Sequence, residues 1–146
     1  MPSKLTVEKA KRDLQEGKSP TTGAGEFVHE EIEHVRHGKH GARSPQQAIA
    51  IGLSKARRAG IPLKPPRRGT VKETTRRSAE RAYRKGQSHA KPPRRKYSRV
   101  RENTMKREPR SSVSHRALSR QARGAAARRR RRTHSRTAGR RHRTRT

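Results

Sequence analysis

The stretch SPQQAIAIGLSKARRAG, residues 44–60, carries the signals of a complete helix with a start, an apolar face and a stop. Ser44 is a strong N-cap, Pro45 suits the first helical position, and Gln47 completes an S-x-x-Q capping box. Gly60 is placed to end the helix, because glycine adopts the left-handed conformation without steric cost. The sequence therefore predicts a well-delimited helix in an otherwise very basic chain.

A partner helix is predicted over residues 26–37, EFVHEEIEHVRH, where apolar residues recur at helical spacing. Neither helix is long enough to be stable alone. We expect the two to pack as a hairpin across a short loop. The predicted contact buries Phe27, Val28, Ile32 and Val35 against Ile49, Leu53 and Ala56.

A shorter helix is predicted over residues 7–16, with Thr6 as its N-cap and Gly17 as its stop. Residues 18–25, KSPTTGAG, have the composition of a linker. Seven apolar positions, one of them only alanine, make a marginal core. We expect the first helix, a homodimer partner or the nucleic acid itself to complete the hairpin.

The overall composition argues against a single full-length domain. The 146 residues include 42 Lys or Arg and 11 Asp or Glu, with 25% hydrophobic and 2% aromatic residues. Such chains bury too little apolar surface to offset the entropy of folding. The predicted fold class is mostly α, a small N-terminal helical hairpin of two or three short helices followed by a long, largely disordered Arg-rich tail.

The charge is unevenly distributed along the chain. Residues 1–63 carry 11 Lys or Arg and 7 acids, whereas residues 64–146 carry 31 and 4. This asymmetry is typical of a folded module with a nucleic-acid-binding arm. We predict a small helical module at 1–63, a basic linker at 64–108 and a disordered Arg-rich tail at 109–146.

The tail is the strongest functional signal. Residues 109–146 contain fourteen arginines and neither an acid nor a lysine. The planar guanidinium group makes bidentate contacts with phosphate, and such binding releases condensed counterions. A polybasic address signal is the other interpretation, but it needs far fewer arginines than this.

The linker contains KPPRR twice, at residues 64–68 and 91–95. Pro-Pro favours extended geometry, so these boxes are interpreted as spacers or as arms that place arginine in the minor groove. Between them a fourth helix is predicted, with a T-x-x-E capping box at Thr70 and Glu73 and a stop at Gly86. We expect this helix to form mainly when it binds a polyanion.

The candidate nucleic-acid-binding residues come from the two repeats, the fourth helix and the tail. They are Arg67, Arg68, Arg76, Arg77, Arg94, Arg95, Arg128, Arg129, Arg130, Arg131, Arg132, Arg140 and Arg141.

Four histidines cluster with glutamates in the second helix and the loop after it. HEEIE begins like the zinc motif H-E-x-x-H, but position 33 is Glu, so the motif fails. Glu30, His34 and His37 share a face that lies away from the apolar stripe. We interpret that face as a water-exposed helix surface and predict no metal ion and no cofactor.

Enzymatic activity finds no support in the sequence. The chain has no cysteine, no phosphate-binding glycine loop and no G-x-S-x-G elbow. No apolar run has the length of a membrane span, and the N-terminus lacks the apolar segment of a secretory signal. We therefore expect a cytoplasmic bacterial protein with no membrane and no small-molecule substrate.

The helical segment also resembles a known family. Residues 26–60 are similar to small basic bacterial and phage proteins of uncharacterised function, some labelled plasmid stabilisation or DNA-binding proteins. The shared pattern is carried by Phe27, Gly38, Lys39, Ser44, Gln47, Ala48, Ile49, Ala50, Ile51, Leu53, Ser54, Ala56, Arg57, Ala59 and Gly60. The resemblance covers roughly the first 65 residues and implies no catalytic residue. The tail resembles linker-histone-like or protamine-like arms in composition only.

The function predicted from sequence is sequence-independent DNA binding by a nucleoid- or plasmid-associated protein, with DNA favoured over RNA. An RNA- or ribosome-associated protein is the first alternative. The second is a protein-interaction adaptor whose basic tail localises it.

Overall fold

The computed structural model describes residues 2–88 and 95–143, with the side chains of 95–98 and 134–143 outside the description. All regular structure in this part of the chain is helical. The helices are α1 (Lys4–Gln15), α2 (Pro20–Arg36), α3 (Pro45–Arg58), α4 (Glu73–Gln87), α5 (Arg95–Lys106) and α6 (His115–Arg143), with a 3₁₀ turn at Ser111–Val113. None of the described helices combines the length and apolarity needed to cross a bilayer.

Helix α3 has the start and the stop that its sequence predicts. The Ser44 hydroxyl accepts a hydrogen bond from the Gln47 amide at 3.2 Å. Gly60 has a φ of +91°, and the Ile61 amide donates to the Ala56 carbonyl at 3.1 Å, which closes a Schellman motif. These hydrogen bonds join groups that are close in sequence, so the local sequence pattern is enough to predict both ends of the helix.

The pairing of α2 with α3 is observed, and α1 completes the layer. Phe27, Ala24, Ala10, Ala56 and Ile61 form one buried cluster, with Val7, Leu14 and Leu53 packed around it. Gly52 lets the two backbones touch, since a Cβ there would lie 2.6 Å from the Val28 Cα atom.

The predicted linker at residues 18–25 is wrong, because most of it forms the first turns of α2. Ser19 caps this helix by accepting from the Thr22 amide at 3.4 Å, and Pro20 takes the first helical position. Gly23 lies against the backbone of Ala10, so α1 covers this turn. The first helix also begins earlier than predicted, with Ser3 rather than Thr6 as its N-cap.

Helix α4 starts at Glu73 without a side-chain cap, so the predicted capping box at Thr70 is wrong. The helix also continues through Gly86 instead of stopping there. Gly86 faces the Arg57 carbonyl at the end of α3, in space that a Cβ would overlap. Buried Ala79 and Ala82 extend the contact. Packing against α3 therefore supports this helix within the chain, in contrast to the predicted formation mainly on a polyanion.

A second buried cluster joins the hairpin to the end of the chain. Val35, Ala42, Ala48 and Val113 are fully buried there, with Leu118 of α6 packed against them. Backbone hydrogen bonds from the loop after α2 strengthen this junction. The Gly41 amide donates to the Met105 carbonyl at 2.8 Å and the Ala42 amide to the Pro109 carbonyl at 3.1 Å.

The predicted disordered tail at 109–146 is the main error in the expected fold class. The chain from Ser111 forms a 3₁₀ turn and then α6, a helix of 29 residues. Burial of Val113 anchors its start, and the following Ala, Arg and Gln residues have high helix propensity. Net charge does not predict this helix, because it reflects neither the burial of Val113 nor the helix propensity of the residues after it.

Candidate nucleic-acid interface

Helix α6 is attached to the hairpin at its N-terminal end. Ser114 caps the helix, since its hydroxyl accepts from the Ala117 amide at 3.3 Å. Val113 and Leu118 insert into the second buried cluster, next to Ala48 of α3. This end of the helix therefore has a defined position on the module.

Beyond its attached end, α6 presents arginine to solvent. Every residue from 127 to 133 is exposed, including all of Arg128 to Arg132. An α-helix turns by about 100° and rises about 1.5 Å per residue, so five consecutive arginines point to all sides within about 6 Å of helix axis. Residues 109–146 contain no Asp or Glu. The arrangement is a dense cationic segment that can reach anions on several sides.

The arginines of α4 lie in different surroundings. Arg76 donates to Glu73 at 2.7 and 2.9 Å and to Glu80 at 3.4 Å. Arg77 donates to Glu73 at 3.2 Å, and Arg84 donates to Glu80 at 2.6 Å. Three of the arginines in this helix are therefore paired with carboxylates of the same helix.

Titration of Glu73 reflects this pairing. The hydrogen bonds from Arg76, with those from Arg77, lower the pKa of Glu73 to about 2. The same contact raises the pKa of Arg76. Both groups are charged at neutral pH, and each reduces the field that the other presents to a phosphate.

The other predicted binding residues fall in two groups. Arg67 and Arg68 are exposed in the connection between α3 and α4, where Gly69 has a φ of +76° and the Thr70 hydroxyl donates to the Arg67 carbonyl at 2.7 Å. Arg94 lies outside the described residues, and so do the side chains of Arg95, Arg140 and Arg141.

A basic cleft lies between the hairpin and α5, and sequence reasoning missed it. Its volume is about 560 Å³, and its cationic lining residues are Lys39, Lys55, Arg58 and Arg101. Burial lowers the pKa of Arg58, and the nearby charge of Arg101 lowers it further. The two arginines are far apart in sequence, so only the i, i+3 spacing of Lys55 and Arg58 could have signalled the site.

The wall of this cleft also holds three residues of the histidine and glutamate cluster, Glu31, His34 and His40. Glu31 is fully buried, and the His34 side chain is 18% exposed. The predicted water-exposed face is therefore wrong for Glu30 and His34 and right for His37, whose side chain is 71% exposed. Burial lowers the pKa of His34, and the charges of Lys55 and Lys39 lower it further.

Comparison with protein-family models, with curated proteins and with solved structures finds no match to this chain. The resemblance of residues 26–60 to small basic bacterial and phage proteins stays a prediction.

Proposed function

We propose that this chain is a non-enzymatic DNA-binding protein that binds duplexes largely independently of sequence, in association with a bacterial nucleoid or plasmid. The observation that carries the proposal is the exposed arginine segment of α6, five consecutive guanidinium groups on a helix without acids. The helical module fixes one end of α6, and the arginines bind phosphate.

Duplex DNA is the polyanion whose shape suits a rod of this kind. A helix with its side chains is about 10–12 Å across, and the major groove of B-DNA is about 12 Å wide. Arginines on opposite sides of α6 can then reach the phosphates on both walls of the groove. Phosphate contacts position a protein without specifying bases, so the binding is expected to tolerate any sequence.

Groove shape is also the reason to place DNA before RNA. The major groove of A-form RNA is deep and narrow, so a helix about 10–12 Å across does not fit into it as it fits the major groove of B-DNA. Proteins that bind single strands commonly stack the bases on aromatic side chains. This chain has one Phe, two Tyr and no Trp, so such a surface is not expected.

The test is a salt titration of DNA affinity with the full chain and one variant. If about eight arginines engage phosphates together, log Kd against log salt has a slope of magnitude about 7. Changing Arg128, Arg129, Arg130, Arg131 and Arg132 together to Ala should reduce that magnitude by about 4 to 5. Binding to unrelated duplexes of equal length should weaken alike.

Two outcomes would replace the proposal. If a folded RNA outcompetes duplex DNA by orders of magnitude at equal phosphate concentration, the chain is an RNA-binding protein. If the five-arginine variant keeps the wild-type slope, α6 is not the interface and another part of the chain binds the DNA.

A further inference from the structure

Glu31 is a buried carboxylate of which one oxygen has a hydrogen-bond donor and the other has none among the described residues. It is fully buried, and the Lys55 ammonium group donates to its Oε2 at 2.5 Å. Its Oε1 is buried and accepts no hydrogen bond among the described residues. A buried carboxylate oxygen without a partner is costly, so a cation or a proton donor is expected to face it.

The Nε2 atom of His40 faces that oxygen, and the contact of the other ring nitrogen, Nδ1, determines which tautomer the neutral ring adopts. Its Nδ1 lies 3.0 Å from the Gly41 carbonyl oxygen, which can only accept, so Nδ1 carries the proton. In the neutral ring Nε2 is then a lone pair, and it lies 3.1 Å from Glu31 Oε1. Two acceptors at this distance repel each other unless a proton on Nε2 or a metal ion lies between them.

His34 supplies a third donor atom. One nitrogen of His34, one of His40 and an oxygen of Glu31 all lie within 4.8 Å of one another. The two imidazole rings meet edge to face, with centroids 6.2 Å apart. Tetrahedral ligands about 2.0 to 2.1 Å from a zinc ion are about 3.3 to 3.4 Å from each other. The His40 and Glu31 atoms already lie 3.1 Å apart, and the His34 nitrogen would have to approach them by up to about 1.4 Å.

We propose that Glu31, His34 and His40 bind one divalent transition-metal ion of the zinc type. Two imidazoles and one carboxylate suit zinc and its neighbours rather than calcium or magnesium, which prefer oxygen ligands. Lys55 holds the second carboxylate oxygen and the Gly41 carbonyl orients His40, the outer contacts that metal ligands commonly have. Three protein ligands leave the fourth position to water.

The ion would connect two parts of the fold. Glu31 and His34 lie on α2, whereas His40 belongs to the loop that precedes α3. The next residues of that loop, Gly41 and Ala42, hold the carbonyls of Met105 and Pro109. Metal binding would therefore stabilise the junction from which α6 starts, whether or not α6 binds DNA.

The test is zinc titration of the chelator-treated full chain by calorimetry, with paired histidine variants. We expect one ion per chain with submicromolar Kd. His34→Gln and His40→Gln should each weaken binding by more than about 100-fold, since losing even an outer partner costs about 10 to 100-fold. The matched control His29→Gln/His37→Gln removes two exposed imidazoles, one on α2 and one at its C-cap, and should leave the affinity within about threefold, because neither is in the site.

Three results would overturn the proposal. The first is a Kd weaker than about 1 μM, which lies outside the affinities of structural zinc sites in proteins. The second is loss of binding in the control pair, and the third is nitrogen NMR that shows both nitrogens of His40 protonated with one equivalent of zinc present. If a histidine variant loses helicity by circular dichroism, the Co²⁺ complex of the wild-type chain decides. An intense visible spectrum of tetrahedral type supports the site, and a pale octahedral spectrum refutes it.

Discussion

Helices α4 and α6 are both rich in arginine, but they hold those charges in different surroundings. In α4, Glu73 and Glu80 lie within one turn of Arg76, Arg77 and Arg84 and pair with them. In α6 there is no acid, and residues 127–133 are exposed throughout. The number of arginines in a helix therefore does not by itself indicate an anion-binding surface. Acids at i, i+3 and i, i+4 spacing reduce the positive charge that is available to a ligand.

The two helices also differ in how they pack against the rest of the protein. One side of α4 consists of small residues, Ala79, Ala82 and Gly86, all buried against α3. Among the described side chains of α6, a comparable contact is made in the first turns, through Leu118. The proposed division is therefore a structural role for α4 and a binding role for α6, and four measurements test it.

The largest expected effect comes from matched triple substitutions. Arg129, Arg130 and Arg131 changed to Ala in α6 should reduce the magnitude of the salt slope for DNA binding by about 3. Arg77, Arg81 and Arg84 changed to Ala in α4 should reduce it by about 1 or less, because two of them are paired with glutamates. Equal losses would show that the two helices bind DNA equally.

A glycine pair tests the difference in packing. Gly86→Ala places a methyl group against the Arg57 carbonyl, which cannot rotate away, and should lower the free energy of unfolding by about 2 to 3 kcal/mol. Gly124→Ala in α6 meets only the Arg128 side chain at 3.5 Å and should stabilise its helix by up to about 1 kcal/mol. Urea unfolding followed by circular dichroism measures both, and a neutral Gly86→Ala would contradict the close contact of α3 with α4.

Removing the acids should make α4 resemble α6. Glu73→Gln/Glu80→Gln releases three arginines and should increase the magnitude of the salt slope by about 2. Glu8→Gln/Glu26→Gln changes the net charge equally on α1 and α2 and should alter the slope by less than about 0.5. If both pairs act alike, net charge rather than local pairing governs the binding.

The smallest expected effect is a change in the pKa of Glu73. The pKa of Glu73 is lowered from 4.5 to about 2, so its pairing stabilises α4 above pH 4.5, and this contribution is lost as the pH falls through 2. Arg76→Ala removes the main cause and should return the pKa toward 4.5. Carboxyl carbon NMR across an acid titration measures it, and an unchanged midpoint would exclude Arg76 as the partner.

The sequence by itself determined helix α3 and the charge of the molecule. The cap at Ser44 and the stop at Gly60 depend on hydrogen bonds within a few residues, so local patterns suffice to predict them. The arginine run at Arg128 to Arg132 is likewise visible without a structure, and so is the absence of acids around it.

Only the tertiary structure decided which segments are ordered and which polar groups are buried. Residues 20–25 form helix because α1 covers Gly23, and α6 starts where it does because Val113 is buried beside Val35. Glu31 is paired with Lys55, 24 positions away in sequence, and its other oxygen lies 3.1 Å from His40 of the loop after α2. The physical reason is that burial depends on contacts between distant segments, whereas a sequence pattern reports only which face of a helix is apolar.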